Sequence, residues 1–373
     1  MAEIRLMKGN EVLAEAAIRC GCDGYFGYPI TPQSEVMETL MARQPWTETG
    51  MVVLQAESEV AAINMVYGAA GSGKKVMTSS SSPGISLMSE GISYIAGAEL
   101  PCLIVNVQRG GPGLGTIQPS QADYFQAVKG GGHGDYKLIV LAPSSVQEMN
   151  DFVDLGLELA FKYRNPAMIL TDGALGQMME KVELADFKPR WTNEEIYEKW
   201  GSWATTGKPA SRKKNIVTSL VMDSEIMEKN NLRFQEKYRT IEEKEVRYET
   251  FQCDDAEFIL VAFGTSSRVC QKAVEIARAK GLKVGLLRPI TLFPFPRAII
   301  KELARKVKGF LSVEMSAGQM VEDIKLSVYE AGSNVRVNYF GRMGGIIPTP
   351  EEVVEALEGK FSWELSYGVK RSY

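Results

Sequence analysis

The sequence predicts an α/β fold: a parallel sheet with helices on both faces, followed by a second, smaller α/β domain. Three observations predict it. In the first 175 residues six short β-like runs alternate with helical patterns, which reads as stacked βαβ units. Between 181 and 250 the composition breaks, with 27 of 70 residues charged against 24% for the whole chain. From Ala256 the alternation returns. The expected division is therefore a first domain over 1–180, a charged arm or linker over 181–250 and a second α/β domain over 251–373.

In order, a first helix starts after Asn10, a good N-cap, carries Val12, Leu13, Ala16 and Ala17, and stops near Gly21. Strands are expected at 24–26, 51–54, 76–79, 102–107, 138–141 and 167–170, each a short apolar or β-branched run bounded by turn residues. Helices are expected between them at 34–42, 60–70, 85–95, 120–128 and 146–161, where apolar residues recur at helical spacing. The charged stretch holds Trp191, Trp200 and Trp203, a Thr-Thr-Gly-Lys-Pro turn and a helix-like run over 223–247. A solvated linker and an ordered arm both fit it, and the indoles favour an arm packed on something. The second domain is expected to contain strands at 258–263, 284–287, 309–314 and 335–339 with helices at 267–279, 297–307 and 320–329.

Composition narrows the function. With 42 Lys+Arg against 46 Asp+Glu the chain has no general basic footprint, which disfavours nucleic-acid binding. One histidine, His133, excludes a multi-histidine metal site within the chain. Five cysteines at irregular spacing suit a reduced, cytoplasmic protein better than a disulfide framework. The first residues lack the apolar segment of a signal peptide, and the longest strongly apolar runs are too short to cross a bilayer.

Several motifs are discounted by context. Gly68-Ala-Ala-Gly-Ser-Gly73-Lys74-Lys75 nearly spells a phosphate-binding loop, but a helix precedes it and a strand follows, the reverse of the order that aims a helix N-terminus at phosphate. The glycines are better read as ending a helix, with the lysines on its negative end. Thr171-Asp172-Gly173 reads as a turn. Cys20 and Cys22 have the wrong spacing for a metal-ligand pair and read as packing residues at a helix end. His133 stands in Gly-Gly-Gly-His-Gly-Asp, a loop free to order over a ligand or to do nothing.

Richer candidates gather at the carboxyl edge of the sheet, where α/β folds bind ligands. Tyr28-Pro29-Ile30-Thr31-Pro32 follows the first of these strands, a loop stiffened by two prolines that either presents the Thr31 hydroxyl or is simply a rigid turn. Gln108-Arg109-Gly110-Gly111-Pro112-Gly113 offers a guanidinium fork to a carboxylate, or a surface ion pair. Ser79 to Ser82 with Pro83-Gly84 makes a third loop, dense in hydroxyls. Glu57 and Glu59 enter a helix whose next turns are apolar. Glu57 suits a capping role, whereas Glu59 adjoins the run that should face the core, and a buried carboxyl at this edge is a candidate general acid/base.

Taken together these residues resemble a known family. Glu59, Gly68 nine residues on and Gly73 five later resemble the pyrimidine-binding domain of thiamine-diphosphate enzymes. The Tyr28–Pro32 loop, Ser81-Ser-Pro-Gly-Ile-Ser-Leu-Met88 and Gln108-Arg-Gly-Gly-Pro-Gly-Leu-Gly115 resemble the α subunit of 2-oxoacid:ferredoxin oxidoreductases. Ile117-Gln-Pro-Ser-Gln-Ala-Asp-Tyr124 and Lys129-Gly-Gly-Gly-His-Gly-Asp135 bring it nearest the branched-chain, 2-oxoisovalerate type. Leu287-Arg-Pro-Ile-Thr-Leu-Phe-Pro294 and Val313-Glu-Met-Ser-Ala-Gly-Gln319 resemble that family's transketolase C-terminal-like domain.

The resemblance implies CoA-dependent oxidative decarboxylation of a 2-oxoacid, giving acyl-CoA, CO2 and reduced ferredoxin. It makes Glu59 the group that hydrogen-bonds the cofactor's aminopyrimidine, with Glu57 as its rival. Pro29, Ile30 and Ser82 would join Glu59 at thiamine diphosphate, and Thr31 and Arg109 would hold the substrate. It also implies that a β subunit supplies the Mg2+-diphosphate half-site and an iron–sulfur cluster, and that a γ subunit and a ferredoxin-like subunit complete the assembly. Pyruvate or 2-oxoglutarate as substrate, and a non-catalytic scaffold subunit, are the alternatives.

Overall fold

Fourteen strands form among residues 3–362, the residues that the computed structural model describes. Residues 1, 2 and 363–373, part of the sequence start read above and the end of the expected second domain, lie outside them. The strands are β1 Glu3–Lys8, β2 Gly24–Gly27, β3 Val52–Gln55, β4 Val76–Ser80, β5 Leu103–Gln108, β6 Ile139–Leu141, β7 Ala167–Asp172, β8 Met179–Leu184, β9 Tyr248–Phe251, β10 Phe258–Val261, β11 Val284–Pro289, β12 Thr291–Phe293, β13 Gly309–Glu314 and β14 Arg336–Gly341.

A seven-stranded sheet runs β12-β6-β7-β5-β4-β2-β3, parallel except where β12 joins antiparallel to β6. Its middle strands β4, β5 and β7 are buried along their whole length, as expected when helices cover both faces of a parallel sheet. A five-stranded sheet runs β14-β13-β10-β11-β9, with β9 antiparallel and the rest parallel. Its central strand β10 packs Phe258 and Leu260 into one cluster and Ile259 and Val261 into another, the two-residue alternation serving both faces. The cluster that takes Ile259 is continuous with the core of the first sheet.

Two joins were not visible in the local pattern. β1 and the charged β8 pair antiparallel as a two-stranded ribbon, a partnership between residues about 175 apart in the chain that no local periodicity announces. β12 comes from the second sheet's half of the sequence but is hydrogen-bonded into the first sheet.

Four local expectations are corrected. Asn10 is not an N-cap: the helix Gly9–Arg19 begins earlier, and buried Asn10 donates instead to tertiary partners, the Pro32 carbonyl at 2.6 Å and Glu35 at 2.9 Å. The lysines after Gly73 do not serve the helix that those glycines end. Lys75 donates to the Cys20 carbonyl at 2.9 Å, at the C-terminus of the first helix, and Lys74 reaches Asn193. The helix expected over 120–128 is only Tyr124–Val128, because the residues before it turn their polar groups to the second half of the chain. The helix expected over 297–307 ends at Leu303.

Those polar groups join the two halves. Buried Gln121 donates its main-chain N–H to the Met315 carbonyl at 2.9 Å and its side-chain amide to the Phe263 carbonyl at 2.8 Å, and accepts from the Ser266 hydroxyl at 2.7 Å. Asp323 accepts from the Tyr124 hydroxyl at 2.8 Å and pairs with Lys129 at 2.6 Å. Thr265 donates to Asp172 at 2.8 Å, and the same carboxylate caps the short helix Gly173–Gln177, so the turn expected at Thr171-Asp172-Gly173 is instead the end of β7 passing straight into a helix.

The tryptophans of the charged stretch pack on the first sheet's outer helix. Phe161 meets Trp191 at 5.0 Å and Trp200 at 5.4 Å between ring centroids, and Trp200 meets Trp203 at 6.2 Å. Such pairs add about 0.5–1.5 kcal/mol each beyond the area they bury. The stretch also forms the helix Asn193–Trp200 and, capped by Asp223, the helix Ser224–Lys244.

Candidate active site

Strands β5, β4, β2 and β3 are neighbours in the sheet, so the segments that leave their carboxyl ends are brought to one edge. These are the four segments singled out in the sequence: Arg109 and its glycines after β5, Ser81 to Gly84 after β4, Tyr28 to Pro32 after β2, and Glu59 after β3.

The Tyr28–Pro32 loop is pinned from three sides. Tyr25, fully buried on β2, donates to Ser79 Oγ at 2.7 Å, Ser79 donates to Gln33 Oε1 at 2.6 Å, and Gln33 Nε2 reaches the Tyr28 carbonyl at 3.1 Å. Burial pushes the Tyr25 phenol up to about 12, so it remains a donor. Asn10 takes the Pro32 carbonyl from below, and Arg109 Nη1 takes the Thr31 carbonyl at 2.8 Å. The loop thus presents Pro29 and Thr31 exposed and Ile30 half-buried.

Arg109 is itself a tie between loops. Its Nη2 donates to the Leu114 carbonyl at 3.0 Å, while Nε is buried without a hydrogen-bond partner among the described residues. Its main-chain N–H donates to Ser82 Oγ at 3.1 Å. Behind Ser82 lies Asp123, which receives Asn106 Nδ2 at 2.9 Å. Burial raises the Asp123 carboxyl above the ordinary range, with hydrogen bonds from Ser82 and Asn106 opposing that shift.

Glu59 opens the helix Glu59–Gly71 and is 6% exposed, whereas Glu57 is exposed. Ser58 accepts the Ala61 N–H at 3.2 Å and so performs the capping, which leaves the Glu59 carboxylate free for other work. Among the described residues that carboxylate has no hydrogen-bond partner. It lies against Gly84, where a Cβ would sit 2.7 Å from Glu59 Oε1 and 2.1 Å from Ser80 Oγ. Only glycine lets the backbone of the helix Ser82–Gly97 come so near the carboxyl. The Ser80 hydroxyl at the same glycine, and the Ser81 hydroxyl next in the chain, are buried without hydrogen-bond partners among the described residues. Buried polar atoms are ordinarily satisfied, so a cluster of unpaired ones marks a place for a ligand.

Some candidates are not gathered here. His133 is exposed and sits with Nδ1 3.4 Å from Ser93 Oγ, eleven residues along the helix from Ser82, or roughly 16 Å. Gly68 and Gly71 fall inside the helix Glu59–Gly71 and Gly73 in the turn before β4, the helix-then-strand order already argued to rule out a phosphate loop. Conversely, Gln33, Asn106, Asp123 and the close approach at Gly84 were not picked out by the sequence reading. Gly84 carried the one usable signal, a glycine straight after Ser-Pro at a strand-to-helix junction.

The edge thus gathers a carboxylate without a hydrogen-bond partner among the described residues, unpaired serine hydroxyls, and the Arg109 guanidinium tied to the Thr31 loop. A family model described as "Pyruvate flavodoxin/ferredoxin oxidoreductase, thiamine diP-bdg" matches residues 15–250, and one described as "Pyruvate:ferredoxin oxidoreductase core domain II" matches 256–353. The chain belongs to the family of 2-oxoacid:ferredoxin oxidoreductase subunits.

It is 53% identical over 355 residues to the ketoisovalerate oxidoreductase subunit VorB of Methanothermobacter thermautotrophicus, covering 95% of this chain and 97% of that one. It is 36% identical over 379 residues to the 2-oxoglutarate synthase subunit KorA of Methanocaldococcus jannaschii, covering 96% of this chain and 100% of that one. Among solved structures, the 2-oxoglutarate:ferredoxin oxidoreductase from Magnetococcus marinus with 2-oxoglutarate, coenzyme A and succinyl-CoA bound superposes with a TM-score of 0.82 at 28% identity. That match covers 96% of this chain and 65% of that one. A split-gene transketolase shares the fold, with a TM-score of 0.60 at 12% identity over 95% of this chain and 98% of that one.

Proposed function

We propose that this chain is the α-type subunit of a thiamine-diphosphate-dependent oxidoreductase that converts a branched-chain 2-oxoacid, 2-oxoisovalerate above all, and coenzyme A to acyl-CoA and CO2, passing two electrons singly to ferredoxin. The observation that carries the reading is the unpartnered Glu59 carboxylate against Gly84. The more similar relative, at 53%, is named for ketoisovalerate and the more distant one, at 36%, for 2-oxoglutarate, which supports the branched-chain substrate.

Glu59 would hold a proton at the ring nitrogen of the cofactor's aminopyrimidine, with Pro29, Ile30 and Ser82 shaping the space around that ring. Thiamine diphosphate, when bound, supplies the electron sink that takes up the pair released on decarboxylation. Thr31 and Arg109 would hold the acid end of the substrate. The Nη2 bond to the Leu114 carbonyl is the one a carboxylate would take over, since a charge-assisted pair outweighs a neutral one.

Metal and clusters would sit on partners. The thiols of Cys20 and Cys102 are pushed up to about 12 by burial, which suits packing and not ligation of a cluster. A β subunit would bring the Mg2+-diphosphate half-site and an iron–sulfur centre, and γ and ferredoxin-like subunits would complete the complex. The reduced cysteines suit a cytoplasmic setting.

The face toward the β subunit would be the apolar rim of the site. Leu114, 83% exposed, and Ile117 stand on the loop after Arg109, and Met343, 60% exposed, and Ile346 on the loop after β14. The two loops touch, a Cβ on Gly110 lying 2.9 Å from the Gly344 carbonyl carbon. Large apolar side chains so exposed beside a half-built site mark an interface. Leu114→Asp together with Met343→Asp should abolish co-purification of the β subunit while the chain itself melts at its usual temperature. Retained co-purification would remove this face from the interface.

Anaerobic co-purification, followed by a panel of 2-oxoacids with coenzyme A and a one-electron acceptor, tests the whole reading. The complex should give its highest kcat/KM with 2-oxoisovalerate, and the lone chain should turn over none. Decarboxylation by the lone chain would overturn the shared site, and a preference for 2-oxoglutarate would overturn the substrate.

A further inference from the structure

The helices that follow strands of a parallel sheet run back to the sheet's other end, so the last residues of Ser82–Gly97 and Val146–Tyr163 meet at the end opposite Glu59. A cavity of about 610 Å³ elsewhere, between Ser144 and Arg268, is lined by charges that are already paired, Arg288 with Glu148 at 2.6 Å and Arg268 with Glu180 at 2.9 Å. The cavity at these two helix ends, about 440 Å³, is different.

Its walls carry Arg164, Arg233 and Lys214 against one carboxylate, Glu99. Glu99 is already used twice, by Arg233 at 2.7 Å and by Lys237 at 3.2 Å just behind the wall. Arg164 donates no side-chain hydrogen bond among the described residues. Its guanidinium stacks 4.7 Å over the Trp203 ring, and Nε is buried without a partner. Burial first, and then the neighbouring arginine charges, hold both Arg164 and Lys237 below their ordinary ranges despite the pull of Glu99. The two helix ends carry partial negative charge and offset part of this excess, but among the described residues no carbonyl there receives a hydrogen bond from the Arg164 side chain.

The floor comes from the first sheet's helices and the roof from the charged stretch. Val217 packs on Gly71, and Ser219 lies 3.2 Å from a Cβ placed on Gly97. Asn230 and Ser219 add neutral polar side chains to the lining. A planar guanidinium with no partner, a second cation whose carboxylate is shared, and flanking polar groups form a receptor for oxyanions.

We propose that this cavity binds a small phosphate- or carboxylate-bearing anion, seated between Arg164 and Arg233 and distant from the cofactor edge. The anion site uses none of the catalytic residues above; the choice of complex, cofactor and turnover control rests on that reading.

Isothermal titration of the assembled complex, saturated with thiamine diphosphate, tests it with two probes, inorganic phosphate and succinate, each against KCl at matched ionic strength. At least one probe should bind saturably. Phosphate alone assigns a phosphate-bearing ligand, and succinate alone a dicarboxylate. Arg233→Gln, at a side chain 59% exposed and therefore safe for folding, should raise Kd about tenfold, the loss of one charge-assisted bond, with 2-oxoacid turnover unchanged. Arg164→Gln should remove binding altogether. The proposal is overturned if neither anion binds above matched KCl, or if Arg233→Gln binds as tightly as the unaltered complex.

Discussion

Glu59→Gln should lower kcat of the assembled enzyme by about 10²- to 10⁴-fold, the range for removing a positioned proton-transfer group, while assembly and melting temperature change little. The reasons are local. Glu59 is the first residue of its helix, yet the cap is performed by Ser58 Oγ, so glutamine in its place disturbs no helix end. The carboxylate makes no hydrogen bond with the described residues, so no network collapses when its charge is removed. What is lost is a buried group able to hold a proton beside Gly84, and the amide cannot replace that. Glu57→Gln, two residues away and exposed, should leave turnover unchanged and serves as the control. If Glu59→Gln turned over near the normal rate while Glu57→Gln did not, the assignment would pass to Glu57.

Glu314→Ala should cost about 3–5 kcal/mol of stability, read by urea denaturation, because it strips a buried carboxylate from five donors at once. Glu314, at the end of β13 and 1% exposed, accepts from the Ser312 hydroxyl at 2.7 Å and the Ser316 hydroxyl at 2.8 Å. It also accepts the main-chain N–H groups of Gln319 at 2.8 Å, Met320 at 3.1 Å and Val321 at 2.9 Å. The last three are the orphan donors of the helix Met320–Glu330, which the fold meets with an acid from the preceding strand. That helix carries Asp323, the partner of Tyr124 and Lys129, and Gln319 accepts the Phe125 N–H at 2.7 Å. Unsettling it therefore loosens the join between the two halves of the chain. A loss below about 1 kcal/mol would mean that water replaces the carboxylate at no net cost.

The motifs Ile117–Tyr124 and Val313–Gln319 meet at this join. In the structure they lie mainly at the seam between the sheets: Gln121, Tyr124, Met315 and Gln319 hydrogen-bond across it. Spacing alone gave no hint of that use, because each partner lies more than 140 residues away.

By itself the sequence determined the βαβ alternation, the parallel strands buried on both faces, the set of loops at the carboxyl edge and the family. Each of these is written in short-range signals: apolar runs, turn residues, glycine spacing after an acidic residue. Only the tertiary structure decided what depends on partners far off in the chain. Asn10 left its cap for the Pro32 carbonyl, Lys75 went to the end of another helix, β12 joined the other sheet, and Arg109 tied the Thr31 loop to its own. The burial of Glu59 was legible from the apolar run beside it, but its close approach to Gly84 on the helix that follows β4 was not. Local pattern says what a segment can form. Where its polar groups go is set by which of the available partners are buried with them, and burial belongs to the whole fold.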